Sequence, residues 1–187
     1  MVLARAIALA WIASTFLPVA APAQTPSGVV VTQAQLRQVK ALPLPVYLPK
    51  ALPGGFHTVA LAVYDFSRRK TPYGWGYELS AAAAGGPSLN ILVATSGFGG
   101  GEADYKGFRR PFTVNSPQLG VAHFTPAADE KKGWCYVAVT SVPHAVEPPV
   151  GSPPFMQISA CGVERPAVER LYQSLQLVKA QTAYPKS

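Results

Sequence analysis

The chain has 187 residues, a formal net charge of +7, 19 prolines, 16 glycines and two cysteines, a length that suits one domain. Charged residues are 13%, about half the usual ~25%, and proline is about twice its usual ~5%. With 49% hydrophobic residues, this composition excludes a disordered chain, collagen, a coiled coil and a disulfide-dense toxin, and it leaves few side chains for acid–base chemistry.

Residues 1–23 have the layout of a secretory signal peptide: Arg5, an apolar run from Ala6 to Val19, then Ala21-Pro22-Ala23 before Gln24. The run is shorter than the ~20 apolar residues of a bilayer span, and Pro18 interrupts its end. No cysteine follows it to carry a lipid, and no second apolar stretch is long enough to span. The expectation is an exported mature chain, periplasmic or extracellular, without a membrane span after cleavage. Arg5 is the one charged residue removed, so the mature chain carries +6.

Residues 24–31 are a short leader. Residues 32–42 read as a helix, with Thr32 and Gln35 placed as a capping box and Val31 and Leu36 as a hydrophobic staple. Four prolines in residues 42–53 remove backbone donors, so this segment is expected to lie extended along the surface. Gly54-Gly55 is a turn. Strands follow over 56–66, 73–79, 88–95, 119–124, 134–142 and 155–161, with a short extra piece at 112–114. In the second, Tyr73, Trp75, Tyr77 and Leu79 alternate strictly, as in a half-buried strand. The proline-rich loop 143–154 reads as exposed and polyproline-like. Residues 166–179 form the second helix, with Pro166 at its first turn and a stripe of Val168, Leu171, Tyr172, Leu175 and Val178. A tail covers 180–187. Strands without intervening helices predict an α+β domain over 42–179: an antiparallel sheet of about six strands, with one N-terminal and one C-terminal helix packed on one face.

Cys135 and Cys161 fall in two strand-like runs, and an even count in an oxidising compartment predicts a disulfide. Such a bridge would stabilise by about 3 kcal/mol in the chain-entropy model. There is no Cys-x-x-Cys, and two thiols are too few for a structural zinc site.

The stretch Leu44-Pro-Val-Tyr-Leu-Pro-Lys-Ala-Leu-Pro-Gly-Gly-Phe56 and the closing Met156-Gln-Ile-Ser-Ala-Cys-Gly-Val, with Val168-Glu-Arg-Leu-Tyr-Gln-Ser-Leu175, resemble a family of extracytoplasmic domains of unknown function. These occur in bacterial exported proteins, lipoproteins and anti-sigma-factor-like regulators. The resemblance covers roughly residues 42–178, with Gly55 where an acidic residue is common. It implies an α+β domain used for sensing or binding, and it carries over no catalytic residue.

Little in the sequence points to an enzyme. His57, His123 and His144 form no metal-binding or catalytic motif, and Ser96 in Ala94-Thr-Ser-Gly-Phe-Gly99 is not a nucleophile elbow. Glu102 and Asp104 share a glycine loop with Lys106 and read as solvated charge. The loop over 97–111 lacks the Lys-Ser/Thr ending of a phosphate loop. No cofactor and no metal are expected. If the strands form an up-and-down meander, Arg68, Arg69, Lys70, Lys106, Arg109 and Arg110 gather at one end with Phe98, Tyr105, Phe108 and Phe112. A basic, aromatic rim suits an anionic envelope component or an acidic protein segment, and a membrane surface fits too. Nucleic acid fits electrostatically, but an exported protein rarely meets it. The expectation is a non-enzymatic binding or sensor module of the bacterial cell envelope. The alternatives are an envelope-polymer hydrolase with His57 or His123 as base, and a structural accessory of a larger assembly.

Overall fold

The computed structural model describes residues 31–65, 74–95, 109–129, 133–143, 145–146 and 153–184. The elements run α1 (Gln33–Lys40), β1 (Val46–Pro49), β2 (Phe56–Asp65), β3 (Trp75–Ala83), β4 (Ser88–Ala94), β5 (Phe112–Ser116), β6 (Gly120–Asp129), β7 (Gly133–Ser141), β8 (Phe155–Cys161), α2 (Arg165–Ser174) and β9 (Leu175–Lys179). The domain is thus mainly antiparallel sheet with two helices. Its main sheet has seven strands rather than six, because 112–116 is a full strand whose Phe112, Val114 and Ser116 alternate inward.

The seven strands lie in the order β2-β3-β4-β8-β7-β6-β5, all antiparallel. This is not the up-and-down meander that the strand spacing suggests. β8 inserts between β4 and β7, while β5 occupies the far edge. Register aligns one apolar row across the centre: Leu61, Leu79, Ile91, Ile158 and Ala138 lie opposite one another in turn. Its neighbours Tyr77, Val93 and Met156 form the next row, each essentially inaccessible. A half-buried sheet requires this period of two, and these rows are the core face.

A second layer completes the core. Val39 of α1, the β1–β9 ribbon, and Val168, Leu171 and Tyr172 of α2 belong to the same buried cluster as the sheet's inward rows. Tyr172 meets Phe124 edge-on at 5.8 Å, and its hydroxyl donates to the Gly120 carbonyl at 3.3 Å. The α1 N-terminus has the expected capping box, with Thr32 and Gln35 satisfying each other's backbone.

Two segments depart from expectation. Residues 42–49 are buried throughout instead of lying on the surface. The helical stripe over 166–179 breaks at Leu175, where the chain turns extended and pairs as β9 with β1. Lys50 N–H donates to the Ser174 carbonyl at 3.1 Å, and Ser174 Oγ donates to the Leu171 carbonyl at 2.8 Å, so orphaned carbonyls at the helix end are satisfied at the switch. Pro49 stands at the end of its strand, where it disrupts least. Beyond β9, Gln181 bonds both backbone groups of Val146, and Tyr184 stacks on Trp75 at 5.1 Å.

A second phenol ties the β1–β9 ribbon to the sheet. Tyr77 is 0% exposed; its hydroxyl accepts from Tyr47 N–H at 2.7 Å and donates to the Tyr47 carbonyl at 3.1 Å. Burial pushes its ionisation far above the ordinary tyrosine range. Tyr77→Phe is therefore expected to leave two buried backbone groups unpaired and to cost about 1–3 kcal/mol. Urea unfolding should show a lower midpoint at unchanged slope. At the β3 entrance, Gly74 has φ +89°, and an added Cβ would stand 1.8 Å from Thr95 Oγ1. That hydroxyl accepts from Trp75 N–H at 3.0 Å, so the close approach requires glycine.

Candidate functional site

Of the six cations singled out by sequence, Arg109 and Arg110 are described; Arg68, Arg69, Lys70 and Lys106 lie outside the described residues, as do His144, Ser96, Glu102 and Asp104. β4 and β5 run the same way with three strands between them, so Thr95 and Arg109 stand at opposite ends of the sheet. Asp65 and Trp75, which flank residues 66–73, lie at the Thr95 end. The meander that would gather the cations at one end is therefore not the topology of this sheet.

Arg109 is committed to local contacts. Its guanidinium makes a two-pronged pair with Glu164, both bonds at 3.2 Å, and lies 3.3 Å from the centre of the Trp134 ring. The pair raises Arg109 further above its already high range, chiefly through the hydrogen bond to Glu164, and the same bond holds the Glu164 carboxyl below the usual carboxylate range. Trp134, Tyr136, Phe112 and Phe124 follow as a chain of ring contacts at 5.2, 4.8 and 5.2 Å. Arg165 sits 4.8 Å over Phe112 and pairs with Glu169 at 2.7 Å. This end of the domain fastens the chain entering β5 to the start of α2. Arg110 is exposed.

Two of the three histidines are described. His57 is exposed on β2, and His123 is exposed on β6 with Nδ1 3.1 Å from Thr113 Oγ1. Among the described residues no three His, Cys, Asp or Glu side chains converge. Cys135 and Cys161 are directly opposite on β7 and β8 and form a disulfide.

The least anticipated feature is the sheet's other face. Outward residues form rows across five strands: Ala62, Glu78, Leu92, Gln157 and Val139; then Ala60, Ser80, Asn90, Ser159 and Val137. These side chains are half-buried or exposed, Val139 to 58%. Glu78 is the one carboxylate on this part, and it accepts from the Tyr64 hydroxyl at 3.0 Å; no lysine or arginine is among the outward residues of these strands. The surface offers hydroxyls, amides and small apolar groups, which suit contact and hydrogen bonding rather than proton transfer. Its sequence signal was the polar half of each alternation, such as Glu78-Leu-Ser80 and Gln157-Ile-Ser159, but polar alternation also describes a merely solvated face.

No known protein family, curated protein or solved structure matches the chain. Among the described residues no helix is long and apolar enough to cross a membrane.

Proposed function

We propose that the chain is an exported, non-enzymatic binding or sensor module of the bacterial cell envelope, with the open face of the sheet as its contact surface. The observation that carries this reading is that face: five strands wide, mostly uncharged and accessible. The disulfide accords with an oxidising compartment, and residues 1–23 have the composition of an export signal. The resemblance of the 44–56 and 156–175 stretches to a family of extracytoplasmic domains of unknown function, which implies sensing or binding, points the same way. An anionic partner at the β5 entrance would be met by Arg110, whereas Arg109 is already paired with Glu164.

The test is binding of the mature domain to isolated envelope fractions. Val139→Glu, on an exposed position, is expected to weaken binding about tenfold or more while the melting temperature stays unchanged. Arg110→Ala should flatten the salt dependence if the partner is anionic. Undiminished binding by Val139→Glu would remove the open face from the reading. Cleavage of an envelope polymer that is lost in His57→Ala or His123→Ala would replace the binder with a hydrolase.

A further inference from the structure

The segment after β9 carries an inference that goes beyond the proposed binding function. Past Lys179 the chain leaves the β1–β9 ladder, and among the described residues 180–184 make no backbone–backbone hydrogen bond. Side chains alone hold this segment. Lys179 Nζ donates to the Leu42 carbonyl and, at 3.4 Å, to the Thr182 hydroxyl. The Gln181 amide meets Val146 as a strand partner would: Oε1 accepts from its N–H at 2.8 Å, and Nε2 donates to its carbonyl at 3.2 Å. Three residues on, the Tyr184 hydroxyl donates to the same carbonyl at 3.2 Å while the ring stacks on Trp75 at 5.1 Å. Between these anchors Thr182 and Ala183 are exposed. The surface beneath is fastened without the segment. Thr95 N–H donates to the Trp75 carbonyl, and the Thr95 hydroxyl accepts from Trp75 N–H, both at 3.0 Å. Ala145 packs against the core, and its N–H donates to the Val142 carbonyl at 3.3 Å. A fixed platform and a segment held only by side chains come apart with little cost to the rest of the fold.

We infer that Trp75 and Val146 form a binding site for an extended peptide segment, which the chain's own residues 181–184 fill until a partner segment displaces them. The seated segment defines the chemistry that the site takes. It is a glutamine whose amide pairs with the Val146 backbone and, three residues later, a tyrosine that stacks on Trp75 and donates to the Val146 carbonyl. Trp75 and Tyr184 both pack at the margin of the core, so this site is separate from the open face. Attachment gives the chain's own segment an effective concentration on the order of millimolar. A partner carrying the same two side chains therefore takes the site when that segment is loosened, or when the partner adds contacts of its own.

Amide exchange of the wild-type chain reads the opening. Val146 N–H is held by Gln181, so it should exchange through a local opening that low urea leaves unchanged. Tyr47 N–H, held by the buried Tyr77 hydroxyl, should exchange only with global unfolding. Protection of Val146 equal to that of Tyr47 overturns the proposal, and this arm needs no variant. The binding arm uses Gln181→Ala with Tyr184→Ala. That chain should bind a labelled, capped peptide of residues 180–184 at least about tenfold more tightly than the wild type, whose own segment competes. The same peptide carrying Tyr184→Ala should not bind. Failure of the variant to bind at millimolar peptide, equal binding by both chains, or binding that survives loss of the peptide's tyrosine each overturns the proposal. Val139→Glu, which tests the open face, should leave the peptide's affinity unchanged, and a loss there would likewise overturn a separate site.

Discussion

Leu171→Ala is expected to destabilise the domain by about 2–5 kcal/mol, the range for deleting a fully buried leucine side chain. Leu171 is 1% exposed and belongs to the one cluster that holds α2, the β1–β9 ribbon and the sheet together. Its neighbours there include Val168, Tyr172 and Leu175, all essentially inaccessible. Tyr172 is pinned by hydrogen bonds to the turn before β6, and Leu175 is pinned by the switch into β9, so the helix has little freedom to collapse into the cavity. That rigidity places the cost in the upper part of the range. Thermal unfolding should show a drop of roughly 2–4 °C for each kcal/mol lost. An unchanged melting temperature would mean that the stripe does not support the core.

Removing the disulfide as Cys135→Ala with Cys161→Ala should cost about 3–4 kcal/mol, from the chain entropy restored to a loop of 26 residues. Alanine is the appropriate replacement because both sulfurs are buried and a serine hydroxyl there would need a partner. The bridge joins β7 to β8 at the end of the sheet where Arg109 grips Trp134 and Glu164, so it reinforces contacts that exist without it. The double variant should therefore fold to the same circular dichroism spectrum and melt lower, and a reducing agent should shift the wild type alone. Equal melting of the two proteins would show that the bridge adds nothing to stability.

The strands were legible where alternation is strict, as in Trp75-Gly-Tyr-Glu-Leu79, because burial of one face imposes a period of two on the sequence itself. β9 was hidden because Leu175 and Val178 also continue the helical stripe, and only the partner strand β1 decides between the two conformations. β1 was hidden by Pro49 within it and Pro43, Pro45 and Pro53 around it, which argue against a strand unless it is short and its N–H groups are used elsewhere. Tyr47 N–H does go elsewhere, to the Tyr77 hydroxyl. Strand order was not legible at all: nothing local to residues 155–161 says that both β4 and β7 are its neighbours. The basic rim depended on that order. The commitment of Arg109 to Trp134 and Glu164 joins residues far apart in the chain, and no local pattern announces it.

The placement of β8 also fixes when this protein can fold. The two halves of the sheet, β2–β4 and β5–β7, are complete by residue 141, yet they share no strand pairing until residues 155–161 arrive between them. The second layer waits longer still, since Val46 pairs with Lys179. Contacts of such long sequence separation are slow to form, because loop closure must precede the gain from burial. Any half-sheet formed before residues 155–161 are available would therefore leave β4 or β7 as a bare edge. Until β8 pairs with both, any other strand that adds to β4 or β7 competes with folding.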